Sequence, residues 1–369
     1  PIGGMWVEAD CNLTGAEALA RQFVLGRAFF KTYFGADVDS PVLWLPDVFG
    51  YSWALPQLIK QAGLDYFMTI KISWNQYNKM PYDSFWWEGI DGTQVLTHFS
   101  ATPNRNGERA NYNAEVTPRE IYKTWELFQQ KAEQQHLLMI FGHGDGGGGP
   151  TREMLENMQN MKTMPGMPQM QHDTAIEFFR RMEAESGDVL PKWNGELYFE
   201  LHRGTYTTQA RNKRGNRKSE FLLHDVELLS VFAGWLDDDF DYPSEEITRL
   251  WQLVCLNQFH DIIPGSSINQ VYVESLEQYD EIRKSGKHLR ETALKAIHKH
   301  TGGDLLLANP TSFTFNGVVA WDGQLEEGQQ IIDADGNYIP SQATTSGTLL
   351  NIQNMAPHSM ASLRIVGED

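Results

Sequence analysis

The sequence predicts an α/β domain with a mainly parallel sheet and helices on both faces, then a three-helix bundle, then the start of an antiparallel β domain. Three observations carry this. Short apolar runs alternate with stretches of helical spacing through the first part of the chain. Three long helical stretches with little strand character follow. From Gly302 onward, short alternating runs are split by Gly, Pro, Asn and Asp, the signature of antiparallel β structure. The expected boundaries are 1–200, 201–301 and 302–369, and 369 residues exceed what one core usually holds.

In the first helix Leu19, Phe23, Val24, Phe30 and Tyr33 share helical spacing, Thr14 with Glu17 forms a capping-box pattern, and Gly35 ends the run. "PVLWLP" reads as a short buried strand, "ALPQLIKQAG" as a helix ending in Gly63, and "DYFMTIKIS" and "TQVLTHFS" as strands. Thr117, Pro118 and Glu120 start a helix expected to run to about Gln135, directly before an apolar strand "LLMIFG". Further helices begin at Thr151 and Asp173. Such alternation implies right-handed crossovers, and ligands of these sheets sit at the carboxyl ends of the strands. The later helices are expected at Ser219 to Leu236, Glu245 to Phe259 and Ser267 to His300.

Composition narrows the function. Apolar residues at 41% and charged residues at 21% are ordinary globular usage. A net charge of −18, from 48 acidic and 30 basic residues, argues against nucleic acid and anionic membrane surfaces as partners. No apolar run reaches the ~20 residues of a membrane helix. Cys11 and Cys255 lie far apart with no C-x-x-C pairing, which suits a reducing, cytoplasmic setting and buried free thiols. The chain opens at Pro1 with no lead-in, so its natural N-terminus is expected upstream.

Asp47 stands alone in "WLPDVFGYSWALPQ", directly after a strand and before a helix, where α/β sheets present ligands; the alternative is a helix N-cap. "FGHGDGGGGPT" repeats that geometry with His143 and Asp145 on a glycine-rich loop. It lacks the lysine and hydroxyl of a phosphate-binding loop, so the glycines are expected to let backbone lie close to a ligand. In "CLNQFHDIIPGSS", His260 and Asp261 sit at a helix end, as cap or as metal ligand. Two carboxylates on strand-end loops suit glycosidic cleavage, which needs one at the anomeric carbon and one at the leaving oxygen. Phe49, Tyr51, Trp74, Trp86 and Trp87 offer faces for a sugar ring, or simple core.

Taken together, "PDVFGYSWALPQ", "DYFMTIKISWNQYNK", "FGHGDGGGGPT", "GELYFELHRGTYTTQARNKR" and "LNQFHDIIPGSSI" resemble glycoside hydrolase family 38, the class II α-mannosidases, nearest the branch of cytosolic and bacterial enzymes. The resemblance spans roughly Pro1 to Tyr279 and implies an α/β catalytic domain, a helix bundle and a β-rich region. It implies retaining hydrolysis of terminal α-mannosides of glycans, with Asp47 as nucleophile and zinc contact, Asp145 as general acid and base, and His260 as a second zinc ligand. By the same resemblance Phe49, Lys71, His143 and Asp261 are expected to contact substrate. The family's H-x-D pair, which supplies two further zinc ligands, has no counterpart ahead of Asp47, so part of the zinc shell is expected to be missing. The rival expectations are an inactive carbohydrate-binding fragment and another metal-dependent hydrolase such as a deacetylase. Oligomeric state, homo-oligomers included, stays open.

Overall fold

The computed structural model describes residues 1–367 apart from positions 39, 105, 106, 108, 109, 145 and 146. The chain divides into two compact units, Pro1–Glu220 with Trp251–Tyr279, and Phe221–Leu250 with Asp280–Asp369.

The first unit is built on a five-stranded sheet of β1 (Val42–Trp44), β2 (Tyr66–Thr69), β3 (Ser84–Glu88), β4 (Gln94–Phe99) and β5 (Lys192–Asn194), in the order β1-β2-β4-β3-β5. β1 and β2, β2 and β4, and β3 and β5 pair parallel. β3 and β4 pair antiparallel because the connection between them is a tight turn, closed by Gly89 N–H donating to the Thr93 carbonyl, and too short for a crossover helix.

Alternation along the strands feeds two cores. Leu43, Phe67, Phe85, Trp87 and Val95 pack with Leu19 and Phe23 of α1 (Ala16–Phe34) and with Leu55 and Ile59 of α2 (Leu55–Gln61). Their neighbours in the strands, Val42, Tyr66, Met68 and Leu96, pack against a separate cluster. That second cluster also holds Phe178, Phe179 and Met182 of α5 (Ala175–Ser186), which follows α3 (Pro118–Leu127) and α4 (Arg152–Met161). The sheet is thus covered on both faces.

Several expectations need correction. The Thr14 capping box does not form: the N-cap of α1 is Gly15, whose N–H donates to the Glu220 carboxylate at 3.0 Å. A carboxylate from another helix does the work of the local cap. The strand expected over "DYFMTIKIS" stops at Thr69, and Lys71–Trp74 form a 3-10 turn. α3 ends at Leu127, where Phe128 turns extended and is buried. "LLMIFG" is not a sheet strand: among the described residues its backbone pairs with Ala114, through the Ala114 N–H to the Ile140 carbonyl and the Gly142 N–H to the Ala114 carbonyl, and the Leu138 carbonyl accepts from the Ser100 hydroxyl.

Three long helices form the middle of the chain, α6 (Ala210–Leu236), α7 (Ser244–Asn257) and α8 (Asn269–Thr301). In the second unit Leu229, Ala233, Ala293 and Ile297 make one core of α6 and α8. The strands there are all antiparallel: β6 (Leu305–Asn309), β7 (Phe315–Trp321), β8 (Gln329–Ile332), β9 (Tyr338–Ile339), β10 (Ser341–Thr344), β11 (Gly347–Met355) and β12 (Ser359–Gly367). They form two sheets, β10-β11-β7 and β6-β12-β8-β9, whose inner residues Leu350, Ile352, Ile331 and Leu363 share one core, a β-sandwich arrangement.

Candidate active site

Asp47 sits three residues beyond the carboxyl end of β1, in a turn fixed from below by Tyr51. The Tyr51 hydroxyl lies 2.9 Å from the Leu45 carbonyl and 3.1 Å from the Val48 carbonyl, bracketing Asp47, and 2.6 Å from the Thr69 hydroxyl. Tyr51 is fully buried, and burial pushes its hydroxyl far above the ordinary phenol range. It is therefore a strut and not a sugar platform, the core reading of the two that the sequence left open. Asp47 is also not a helix N-cap: that position of α2 is Ala54.

The Asp47 carboxylate is held from three sides. The Lys71 ammonium pairs with Oδ1, and both side chains are largely covered, at 8% and 17% exposure. The Tyr112 hydroxyl donates to Oδ2 at 3.1 Å. His260 Nε2 lies 4.0 Å from the same oxygen. Lys71 comes from the 3-10 turn after β2, and its ammonium also lies 3.7 Å from the centre of the Trp74 ring.

His260 is oriented by backbone. The Glu8 carbonyl accepts from its ring Nδ1 at 2.9 Å, and the Ala9 and Phe259 backbones bridge antiparallel beside it. Asp261 Oδ2 is 3.9 Å from Nε2, and its other oxygen accepts from the Ser266 hydroxyl at 2.9 Å. The Glu8 carboxyl is held above its ordinary range by burial first, with Asp47 adding to this and His260 opposing it. Burial likewise raises Asp10, against the N–H groups of Leu13 and Asn12 that its carboxylate accepts.

Phe49 is 5% exposed; its ring meets the His260 ring edge-on at 6.1 Å and lies 4.6 Å from His202. Trp87 is fully buried, and Trp86 donates from its ring nitrogen to the Gly187 carbonyl within the second core, so both are core residues and not sugar faces. Trp74 behaves differently: it borders a cavity of about 490 Å³ lined also by Lys71, Tyr112, Asn113, Glu115 and His143. His143 belongs to the glycine loop, where its backbone bridges to Gly148. Asp145 lies outside the described residues.

The structure therefore brings together Asp47, Lys71, His260, Asp261 and Phe49, with His143 across the cavity. Tyr112 went unnoticed in the sequence because its loop carries no motif. Glu200 also went unnoticed as a builder of the site: its carboxylate accepts from the backbone N–H groups of Gln76 at 3.0 Å, Tyr77 at 2.8 Å and Asn78 at 3.1 Å, fixing the chain directly after Trp74. A lone Glu inside "LYFELHRG" gave only a weak signal.

Asp47 and His260 converge as oxygen and nitrogen donors, and the Glu8 carbonyl leaves Nε2 facing the carboxylate, an orientation that fits two ligands of a zinc ion. Among the described residues no group of three or more His, Cys, Asp or Glu could hold a metal by itself, so the fit is to half a site.

The sequence profile of the glycosyl hydrolases family 38 N-terminal domain matches residues 1–196, and that of the alpha-mannosidase middle domain matches residues 200–297. The chain belongs to glycosyl hydrolase family 38. Alpha-mannosidase 2C1 of Homo sapiens is 42% identical over 297 residues, which is 80% of this chain and 28% of that protein. The alpha-mannosidase of Saccharomyces cerevisiae is 40% identical over 315 residues, 83% of this chain and 28% of its own. The chain thus spans little more than a quarter of the length of these curated relatives. A crystal structure of an alpha-mannosidase from Enterococcus faecalis V583 covers 100% of the chain and 47% of its own with a TM-score of 0.77, at 18% identity, and shares the fold. No described helix is long and apolar enough to cross a membrane.

Proposed function

We propose that this family 38 chain carries the nucleophile and sugar-binding part of a retaining α-mannosidase that removes terminal α-linked mannose from glycans. The observation that supports it most is the Asp47 carboxylate at the carboxyl end of β1, steadied by Lys71 and Tyr112 and facing His260 Nε2. Zinc would be held in part by Asp47 and His260, and when bound it supplies a fixed positive charge for sugar hydroxyls.

Asp47 attacks the anomeric carbon and forms a mannosyl ester while Asp145 gives its proton to the departing oxygen. Asp145 then takes a proton from water, whose oxygen releases mannose from Asp47. Lys71 and Tyr112 keep the attacking carboxylate in one rotamer, so little reorganisation is needed at the moment of attack. Asp261 and Phe49 border the sugar side, Phe49 by bracing the His260 ring. The free, buried Cys11 and Cys255 suit a reducing cytoplasmic setting.

The test uses the full-length protein that contains this chain. Wild type hydrolyses an aryl α-mannoside, a chelator abolishes the activity, and a slow fluorinated mannosyl donor labels the peptide carrying Asp47. Activity retained by Asp47→Ala, or a label on another peptide, removes the reading.

A further inference from the structure

The His260 ring and the Asp47 turn are both bonded to one short segment, residues 8–12. On one side the Glu8 carbonyl accepts from the His260 ring and backbone, Ala9 and Phe259 bridge antiparallel, and the Asp10 N–H donates to the Gln258 carbonyl at 2.9 Å. On the other side Cys11 bridges parallel to Tyr51, the strut of the Asp47 turn. The Asn12 amide donates to the Tyr206 hydroxyl at 3.2 Å and reaches the Phe49 carbonyl at 3.5 Å. Segment 8–12 is thus a strap common to both groups. Its register decides how far His260 Nε2 stands from the Asp47 carboxylate, 4.0 Å here.

So short a ladder is easily shifted, and a side chain from α1 holds it. Gln22 is fully buried. Its backbone carbonyl accepts from the Trp6 N–H at 2.8 Å, and its amide oxygen from the Val7 N–H at 3.1 Å. Its amide nitrogen donates to the Cys255 carbonyl at 2.9 Å and to the Gln258 amide oxygen at 3.1 Å. A backbone N–H only donates and a carbonyl only accepts, so these partners leave the Gln22 amide one orientation. One side chain therefore clasps the lead-in to the strap and the end of α7, the two segments whose bridge carries His260. The Gln258 amide nitrogen extends the clasp to the Asn216 amide oxygen at 2.9 Å and to the Glu220 carboxylate at 3.1 Å, both buried, and that carboxylate caps α1 at Gly15. A buried network satisfied in this way specifies a single arrangement.

We propose that Gln22 is a positioning residue for the Asp47–His260 pair: it sets the register of segment 8–12 against the end of α7, and so fixes the spacing of carboxylate and imidazole. The proposal rests on the mannosidase reading for the use made of that spacing, and on the hydrogen bonds alone for the spacing itself.

The test compares Gln22→Met with Gln130→Met in the full-length protein. Gln130 is another buried amide of the first unit, accepting from the Asp83 N–H at 2.8 Å and the Ser84 N–H at 3.1 Å and donating to the Pro81 carbonyl at 3.2 Å. Its loss matches the loss of buried amide bonds at another place in the fold, so both variants unfold at lower denaturant. Only Gln22→Met loses zinc affinity, about tenfold in competition with a chromogenic chelator, and only Gln22→Met lowers kcat on an aryl α-mannoside with KM little changed. Its crystal structure shows segment 8–12 and the His260 ring displaced. Should Gln22→Met not fold, Gln22→Asn, which keeps the amide one methylene short of its partners, is read in the same way. Equal zinc affinity in the glutamine 22 and glutamine 130 variants, or a strap unmoved in the glutamine 22 variant, overturns the proposal. Should wild type hydrolyse no mannoside or bind no zinc, the mannosidase reading falls and the crystal structures decide the positioning role: a strap displaced in the glutamine 22 variant alone upholds it, and a strap alike in both overturns it.

Discussion

The Glu8 carbonyl accepts two bonds from one residue, the His260 ring Nδ1 at 2.9 Å and the His260 backbone N–H at 3.1 Å. A carbonyl can only accept, so Nδ1 carries a proton, and in the neutral ring Nε2 is the lone-pair donor turned to Asp47. His260→Ala in the full-length protein is expected to lower bound zinc, measured by elemental analysis, and to cut mannoside hydrolysis by more than the roughly 10- to 100-fold lost with an outer-shell partner. Wild-type metal content and rate would remove His260 from the metal shell.

Lys71 and Asp47 form a largely covered ion pair. Removing one partner of such a pair leaves the other charge without its neighbour and typically costs about 3–5 kcal/mol when fully buried. Lys71→Met is expected to lose somewhat less than that in a denaturant titration and to lower kcat more than it raises KM, since the carboxylate is no longer fixed. Unchanged kcat would mean Lys71 serves folding alone.

His98 is enclosed between β3, β4 and α5, with Ser84 as its hydrogen-bond partner at 2.8 Å and the Phe178 ring 4.8 Å away. Burial alone depresses its pKa from 6.5 to about 3. Below pH 6.5 the unfolded chain takes up a proton that the folded one refuses, so stability is lost as pH falls from about 6.5 toward 3, at up to about 1.4 kcal/mol per pH unit. The raised carboxyls Glu8, Asp10 and Asp83 pull the opposite way. The difference between wild type and His98→Gln isolates the histidine: denaturation midpoints at pH 7 and pH 4.5 should converge in the variant. Parallel slopes would contradict the buried neutral histidine.

Gly26 in α1 and Gly234 in α6 make a matched pair. A Cβ at Gly26 would lie 2.7 Å from the Trp6 nitrogen and nearer still to the Met5 carbonyl, whereas one at Gly234 meets nothing within 4 Å. Replacing a helical glycine by alanine gains up to about 1 kcal/mol, while forcing atoms into a packed contact costs about 1–3 kcal/mol. Gly234→Ala should raise the unfolding midpoint, and Gly26→Ala should lower it. The reverse order would mean that the Met5 segment moves aside freely.

Much of this was legible in the sequence because it is local. The apolar runs around Leu43, Phe67 and Leu96 became strands, and the Thr117 capping box formed with Glu120 as its pattern required. Asp47 and His260 were legible as strand-end and helix-end residues. What escaped depends on distant partners. Glu220 replaced the Thr14 cap from 205 residues away, and Tyr112 reached Asp47 across 65. "LLMIFG" has strand composition, but among the described residues its backbone pairs only with the short Ala114 segment, and composition says nothing of the partner available. Trp86 and Trp87 illustrate the same limit, since an aromatic for a core and one for a sugar read alike.

The bond between His260 and Glu8 closes 252 residues of chain. Contacts of such sequence separation are slow to form, because loop-closure entropy opposes them until the intervening structure has condensed. On a ribosome the sheet and the Asp47 turn can fold long before residue 260 emerges, so the histidine docks onto a preassembled scaffold. The turn that carries Asp47 should therefore be in place before the His260 ring closes against it.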